Sequence, residues 1–182
     1  MLLVAAVLVV IDQAIKLFMV EFVENRESRD PTQIVGALLQ INVIRNPGAA
    51  FGFGGGLTIV FSLVALVVAV VVIRQARTMT SRAWAIALGV LLGGAIGNLI
   101  DRLFREPGFG SGAVVDYVDV QYFAIFNLAD ACLTLSAIGI AVLALKGVPM
   151  GPEASANTHR ADEAPHGPAD EAPEGQPPYS GS

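Results

Sequence analysis

The chain has 182 residues, the length of one domain with room for an appendage. Hydrophobic residues make up 54% and charged ones only 15%, against about 25% charged in ordinary soluble domains, and the mean hydropathy is +0.62, so an ordinary water-soluble enzyme is excluded. The net charge of −5 resides in residues 148–182, with six acids and one arginine, while residues 1–147 hold ten charges of each sign; with no basic excess to neutralise phosphates, nucleic acid is not an expected partner.

Four apolar runs, at about 2–20, 57–73, 83–100 and 122–145, approach or exceed the ~20 residues a helix needs to cross a bilayer. They predict an all-α integral membrane protein of four transmembrane helices. The first run has no basic stretch ahead of it and carries Asp12 and Lys16, the pattern of a retained span rather than a cleaved signal peptide. A polar connection over 21–56 follows, too long for a simple hairpin. Within it Leu39-Gln40-Ile41-Asn42-Val43 alternates apolar and polar residues, which predicts a strand with one wet face in a small sheet at the membrane surface. Gly52, Gly54, Gly55 and Gly56 then free the backbone before the second run, which has no charge at all.

The connection 74–82 carries Arg74, Arg77 and Arg82 and no acid. Basic residues in short loops stay on the cytoplasmic side, which places this connection and both termini in the cytoplasm. In the third run Gly89, Gly93, Gly94 and Gly97 read as close-packing positions and Trp84 as an interfacial anchor. The loop 101–121 has acids of its own, Asp116 and Asp119 among them, and the fourth run buries the single cysteine, Cys132, as inert core. One cysteine excludes an internal disulfide. From 148 onward seven of the ten prolines mix with Glu, Asp, Gly and Ser, a composition that predicts a disordered tail. The only histidines, His159 and His166, lie there, so the apolar body has no His or Cys cage for a metal, and neither metal nor cofactor is expected.

Antiparallel spans bring the end of span one, the start of span two, the end of span three and the start of span four to one membrane face, the outer one in this topology. Asp12 and Lys16, Asn46, the Asn98, Asp101 and Arg102 set, and the Asn127 and Asp130 pair all fall toward that face. Carboxylates in a bilayer cost at least a few kcal/mol each, so their accumulation at one depth needs a reason. Asn98 with Asp101 and Arg102, and Asn127 with Asp130, stand three or four residues apart and share helical faces. With span four starting at 122, Asp130 lies about 12 Å along its axis. The loop before span four is long enough to return Asp116 toward Asp130, and two adjacent carboxyls would share one proton, one acting as base and the other as acid on the same water. Such a pair hydrolyses an amide without metal or covalent intermediate.

Several of these residues have simpler readings. Asp12 and Lys16 are most simply an intrahelical ion pair, Asp101 with Arg102 an interfacial pair, and Asn98 and Asn127 either interhelical hydrogen-bond glue or site residues. Asp130, with no basic neighbour in its own helix, has the weakest structural explanation. A transporter or proton conductor is the main alternative class, but spans two and four are apolar over most of their cytoplasmic halves, which disfavours a path across the membrane.

The blocks Asp12-Gln13-Ala14-Ile15-Lys16, Asn46-Pro47-Gly48-Ala49-Ala50-Phe51, Gly93-Gly94-Ala95-Ile96-Gly97-Asn98-Leu99-Ile100-Asp101-Arg102, Val114-Val115-Asp116-Tyr117 and Phe126-Asn127-Leu128-Ala129-Asp130 resemble, in this order, the motifs of bacterial lipoprotein signal peptidases, the signal peptidase II family. The resemblance covers residues 1–147 as a four-span peptidase domain and leaves 148–182, the acidic cytoplasmic tail, unmatched. It implies an aspartic endopeptidase of the bacterial cytoplasmic (inner) membrane. Such an enzyme removes signal peptides from diacylglyceryl-modified prolipoproteins by cutting on the N-terminal side of the lipidated Cys, with an extracytoplasmic β-cradle in the 21–56 region and the active site toward the outer face. Carried over by position, Asp116 and Asp130 match the catalytic dyad; Asn46, Asn98, Arg102 and Asn127 match residues that contact substrate or the antibiotic globomycin; Asp12, Lys16 and Asp101 read as structural support. The implied partners are lipid-modified prolipoproteins and membrane lipids, with the enzyme a monomer. A serine–lysine peptidase using Lys16 is a further alternative, although no Ser lies in a matching block.

Overall fold

The structure is a computed structural model that describes residues 1–26, 30–48 and 56–151. Ala49-Ala50-Phe51, the glycines Gly52, Gly54 and Gly55, and the acidic segment beyond Gly151 with its two histidines lie outside the described residues. The chain runs α1 (Leu2–Met19), a single π-helical stretch (Val20–Glu24), β1 (Thr32–Val35), β2 (Leu39–Asn46), α2 (Gly56–Gln75), α3 (Arg82–Phe104), β3 (Val114–Val120), β4 (Ala124–Phe126) and α4 (Leu128–Leu145). All four helices are long and apolar enough to cross a membrane.

α3 is the central helix and packs against each of the other three. Half of its span, 50%, is buried inside the protein, against 17–22% of the others, whose remaining apolar surface faces outward as a membrane span requires. Its glycines explain the close approach. A Cβ on Gly93 would stand 2.9 Å from Leu8 Cβ on α1, and one on Gly94 would stand 2.6 Å from the Ala129 carbonyl oxygen on α4. Where helices gain little from excluding water, such contact is the main source of association.

The four spans are accompanied by the small sheet expected beside them, a four-stranded antiparallel one in the order β1-β2-β3-β4, so the description all-α holds for the spans alone. The predicted strand at Leu39–Val43 is the start of β2. Asp116 and Asp119, expected in a loop, lie on β3, where they pair with Ile44 and Gln40 of β2. The fourth apolar run also divides: Ala124–Phe126 is strand, and α4 begins only at Leu128. The cause is local. Tyr122 adopts φ 65 in the β3–β4 turn, and Asn127 then caps the helix.

The sheet sits at the end of the bundle where α1 and α3 finish and α2 and α4 begin. Val115 N–H donates to Asp101 of α3, Ser62 of α2 donates to the Gly110 carbonyl, and Ala129 N–H of α4 donates to Asp12 of α1. The opposite end is apolar, with Ala5, Ala69, Val72, Trp84, Leu88 and Leu92 forming one buried cluster. Trp84, expected as an interfacial anchor, is buried there, its indole N–H donating to the Val148 carbonyl at 2.8 Å. The segment through Met150 folds back over the α2–α3 connection, where the Met150 carbonyl accepts from the Thr80 N–H.

Candidate active site

Asp116 and Asp130 come from separate elements and meet at one residue, Asn127. Asn127 is the N-cap of α4 and Asp130 the third residue of that helix. The two form a capping box: Asp130 N–H donates to Asn127 Oδ1 at 3.0 Å, and Asn127 N–H donates to Asp130 Oδ2 at 3.2 Å. Asp130 therefore lies about 4.5 Å along its helix, not the 12 Å expected from a span beginning at 122. The Asn127 amide nitrogen reaches the other way and donates to Asp116 Oδ1 at 2.6 Å. Asn46, at the end of β2, donates to Asp116 Oδ2 at 2.9 Å, and Asn98 of α3 donates to Asp130 Oδ1 at 2.7 Å. All four carboxylate oxygens thus accept an N–H, three from asparagine side chains and one from backbone.

Asn46 is held by its own turn, in which Gly48 N–H donates to Asn46 Oδ1 at 2.9 Å. Gly48 sits at φ +85, a left-handed conformation that disfavours side chains, and this is the physical content of the Asn46-Pro47-Gly48 block. Thr58 donates to the Pro47 carbonyl and so ties this turn to the start of α2.

Asp116 is 2% exposed. Burial pushes its pKa up to about 6 and the charge of Asp130 pushes the same way, while the Asn46 and Asn127 amides and the Lys16 charge pull it down. The hydroxyl of Tyr117, on the same strand, accepts the Leu128 N–H at 3.1 Å, and burial raises its pKa to about 12.

Behind the asparagines lies an ion cluster. Lys16 Nζ stands 2.9 Å from Asp12 and 2.9 Å from Asp101, so the expected intrahelical pair is half of a buried triad between α1 and α3. The expected Asp101–Arg102 pair is not formed. Asp101 binds Lys16 and, at 2.6 Å, Arg105, because Arg105 stands one helical turn on, whereas Arg102, one residue on, points to another face. The Arg102 guanidinium lies over the Phe61 ring of α2, 5.7 Å from its centroid, and its buried Nε has no hydrogen-bond partner. Gly97 makes room for the cluster: a Cβ there would stand 2.7 Å from Asp12 Oδ2.

The nine candidate site residues, Asp12, Lys16, Asn46, Asn98, Asp101, Arg102, Asp116, Asn127 and Asp130, are accordingly in this assembly, with Asn98 and Asn127 bonded to each other at 3.2 Å. Three further members were not singled out. Gln13 donates to Asp12 and to the Gly97 carbonyl, Arg105 pairs with Asp101, and Tyr117 caps α4. The signals were present in the adjacency of Gln13 to Asp12 and the four-residue step from Asp101 to Arg105. Nothing local marks Tyr117 as a cap for a helix that begins eleven residues later. The Ser–Lys alternative loses its ground, since Lys16 is committed to two carboxylates and an asparagine, while Ser62 and Ser136 donate to backbone carbonyls.

A sequence profile of the family described as Signal peptidase (SPase) II matches residues 4–146. The chain is 50% identical over 126 residues to the lipoprotein signal peptidase of Streptomyces coelicolor, a match covering 69% of this chain and 62% of that protein. It is 47% identical over 145 residues to that of Streptomyces griseus, covering 80% of this chain and 72% of that protein. Two solved structures, each described as a bacterial membrane enzyme, superpose with TM-scores of 0.66 and 0.67 at 29% identity, covering 79% of this chain and 86% and 91% of theirs. With four helices able to span a bilayer and membrane enzymes as structural neighbours, this is a multi-pass membrane protein, and the chain belongs to the signal peptidase II family.

Proposed function

We propose that the protein is a membrane aspartic endopeptidase that removes signal peptides from diacylglyceryl-modified prolipoproteins, cutting on the N-terminal side of the lipidated Cys, with Asp116 and Asp130 as the catalytic dyad. The observation that carries this reading is the convergence of the two carboxyls on Asn127. In the singly protonated dyad the ionised carboxyl takes a proton from water as the oxygen attacks the carbonyl of the residue before the Cys. The protonated carboxyl then gives its proton to the reacting carbonyl oxygen. As the tetrahedral intermediate collapses, the C–N bond breaks, a proton passes to the leaving Cys amine, and the dyad regains its single proton. Asn46, Asn98 and Asn127 hold the carboxyls in place and, with Arg102, line the space for the substrate backbone. The unused donor of Arg102 is suited to a carbonyl oxygen there.

The substrate fits the depth of the dyad. A signal-peptide helix and Cys-linked acyl chains both remain in lipid, so the scissile bond is presented near the membrane surface, and Asp130 in the first turn of α4 meets it there with positioning already provided. Arg74, Arg77 and Arg82 support assigning the α2–α3 connection and both termini to the cytoplasm, with residues 1–147 as the peptidase unit and the sheet toward the outer face of a bacterial inner membrane. The test is cleavage of a diacylglyceryl-modified prolipoprotein by the purified protein in detergent or vesicles, with mass spectrometry locating the cut. Asp116→Asn and Asp130→Asn should each lower turnover about 1,000-fold or more while the proteins remain inserted and folded. Normal turnover by either variant would overturn the assignment.

A further inference from the structure

Lys16 is more than an ion-pair partner. Its side chain is fully buried, and its ammonium has three protons, each with an acceptor: Asp12 Oδ2 at 2.9 Å, Asp101 Oδ2 at 2.9 Å and Asn98 Oδ1 at 3.0 Å. An ion pair alone needs no neutral third partner. The third proton goes to the amide whose other end donates to Asp130 at 2.7 Å. Asn98 Oδ1 also accepts from Asn127 Nδ2 at 3.2 Å, and that nitrogen donates onward to Asp116.

An asparagine amide has two ends of nearly equal shape and opposite polarity, and the surrounding network decides which end faces which neighbour. Asn127 is already oriented by the Asp130 backbone N–H that its Oδ1 accepts, whereas the Asn98 side chain has no backbone partner and carries donor and acceptor both. An ammonium can only donate. With Lys16 at one end, a flipped Asn98 would set its N–H group against the ammonium and its oxygen against the Asp130 carboxylate, two repulsive contacts in place of two bonds.

We propose, building on the dyad reading above, that Lys16 is a positioning residue for catalysis: its donor-only ammonium holds the Asn98 amide in the sense that turns its N–H group toward Asp130. Around this group stand Asp12 and Gln13 from α1, Asp101, Arg102 and Arg105 from α3, Asp116 and Tyr117 from β3, and Asp130 from α4. The two carboxylates that hold Lys16 are themselves anchored, Asp12 by the Ala129 N–H and Asp101 by Arg105 and the Val115 N–H, so the ammonium is held at a fixed point rather than free to follow the asparagine. The Lys16 charge is also among the influences that favour the ionised form of Asp116.

The test compares Lys16→Met, the charge-balanced double variant Asp12→Asn/Lys16→Met, and Asp12→Asn, each scored as kcat and KM per folded molecule on the lipidated substrate. The double variant removes one charge of each sign and keeps the question open should Lys16→Met alone fail to fold. The expected result is a kcat about 100-fold lower in the double variant than in Asp12→Asn, with KM unchanged and the basic limb of the rate profile displaced to higher pH. In an Asn98→Ala background the loss of Lys16 should cost nothing further, since its effect passes through that amide. A double variant as active as Asp12→Asn, or additive effects of the Lys16 and Asn98 changes, would overturn the proposal. Failure of the dyad reading is distinguished separately: there Asp116→Asn would itself retain turnover, whatever Lys16 does.

Discussion

The two ends of the helix bundle are built from different interactions. At the α2–α3 end, Ala5, Ala69, Val72, Leu88 and Leu92 pack around Trp84, contacts without direction in which shape matters more than the position of any one atom. At the sheet end, Asp12, Lys16, Asn98, Asp101, Asp116 and Asn127 are all buried polar groups, and each is bonded to a named partner. Buried polar groups left unpaired are costly, so this end tolerates few arrangements. One end holds the helices together and the other uses them as a frame, and substitutions at the two should fail in different ways.

After the two aspartates themselves, the largest effect that separates them is expected at Asn127. Asn127→Ala removes the helix cap and the link to Asp116 together, and should lower kcat about 100-fold in the prolipoprotein assay, with a modest loss in thermal unfolding. At the opposite end Leu92→Ala should reverse the balance, costing about 2–4 kcal/mol of stability with kcat per folded molecule unchanged. An equal loss of kcat in both variants would show that the ends are not separable.

The pH dependence sharpens the contrast. Asp116 holds its proton up to about pH 6, against 3.8 for an ordinary aspartate, so kcat/KM should fall on the basic side with an apparent pKa near 6 that belongs to the pair. Asn46→Ala, which removes a bond favouring the ionised form, should move that limb to higher pH. The same shift links to stability. Between 3.8 and about 6 the folded state binds more protons than the unfolded one, so the Asp116 contribution is fully favourable below that window and is lost as pH rises through it, by about 3 kcal/mol. Asp116→Asn should flatten that slope in thermal melts while abolishing cleavage. Smallest of all should be Trp84→Phe, which gives up one hydrogen bond to Val148: about 1 kcal/mol of stability and no change in kcat.

The residues of the site were legible in the sequence because helical spacing and span order together sort polar groups by depth and face. Asn98, Asp101 and Arg102 share a helix, as do Asn127 and Asp130, and no tertiary knowledge is needed to bring each set together. Partnerships were less legible. The sequence pairs Asp101 with its neighbour Arg102, whereas the fold gives it Lys16 from α1 and Arg105 from one turn on, and turns Arg102 toward Phe61. The start of α4 was displaced for a related reason. The apolar run from 122 is continuous in hydropathy, but its first residues pair with β3, and a strand and a helix of equal hydrophobicity look alike until a neighbouring strand is present.

The sequence by itself determined four apolar spans and the convergence of Asp116, Asp130 and three asparagines on one end of them, since apolar length and residue spacing are properties of the chain. Only the tertiary structure decided which donor faces which carboxylate, and that Asp130 lies in the first turn of its helix. Hydrogen bonds and ion pairs act over a few ångströms, so their partners are chosen by how closely α1 and α4 pack on the glycines of α3 and by the register of β3 on β2.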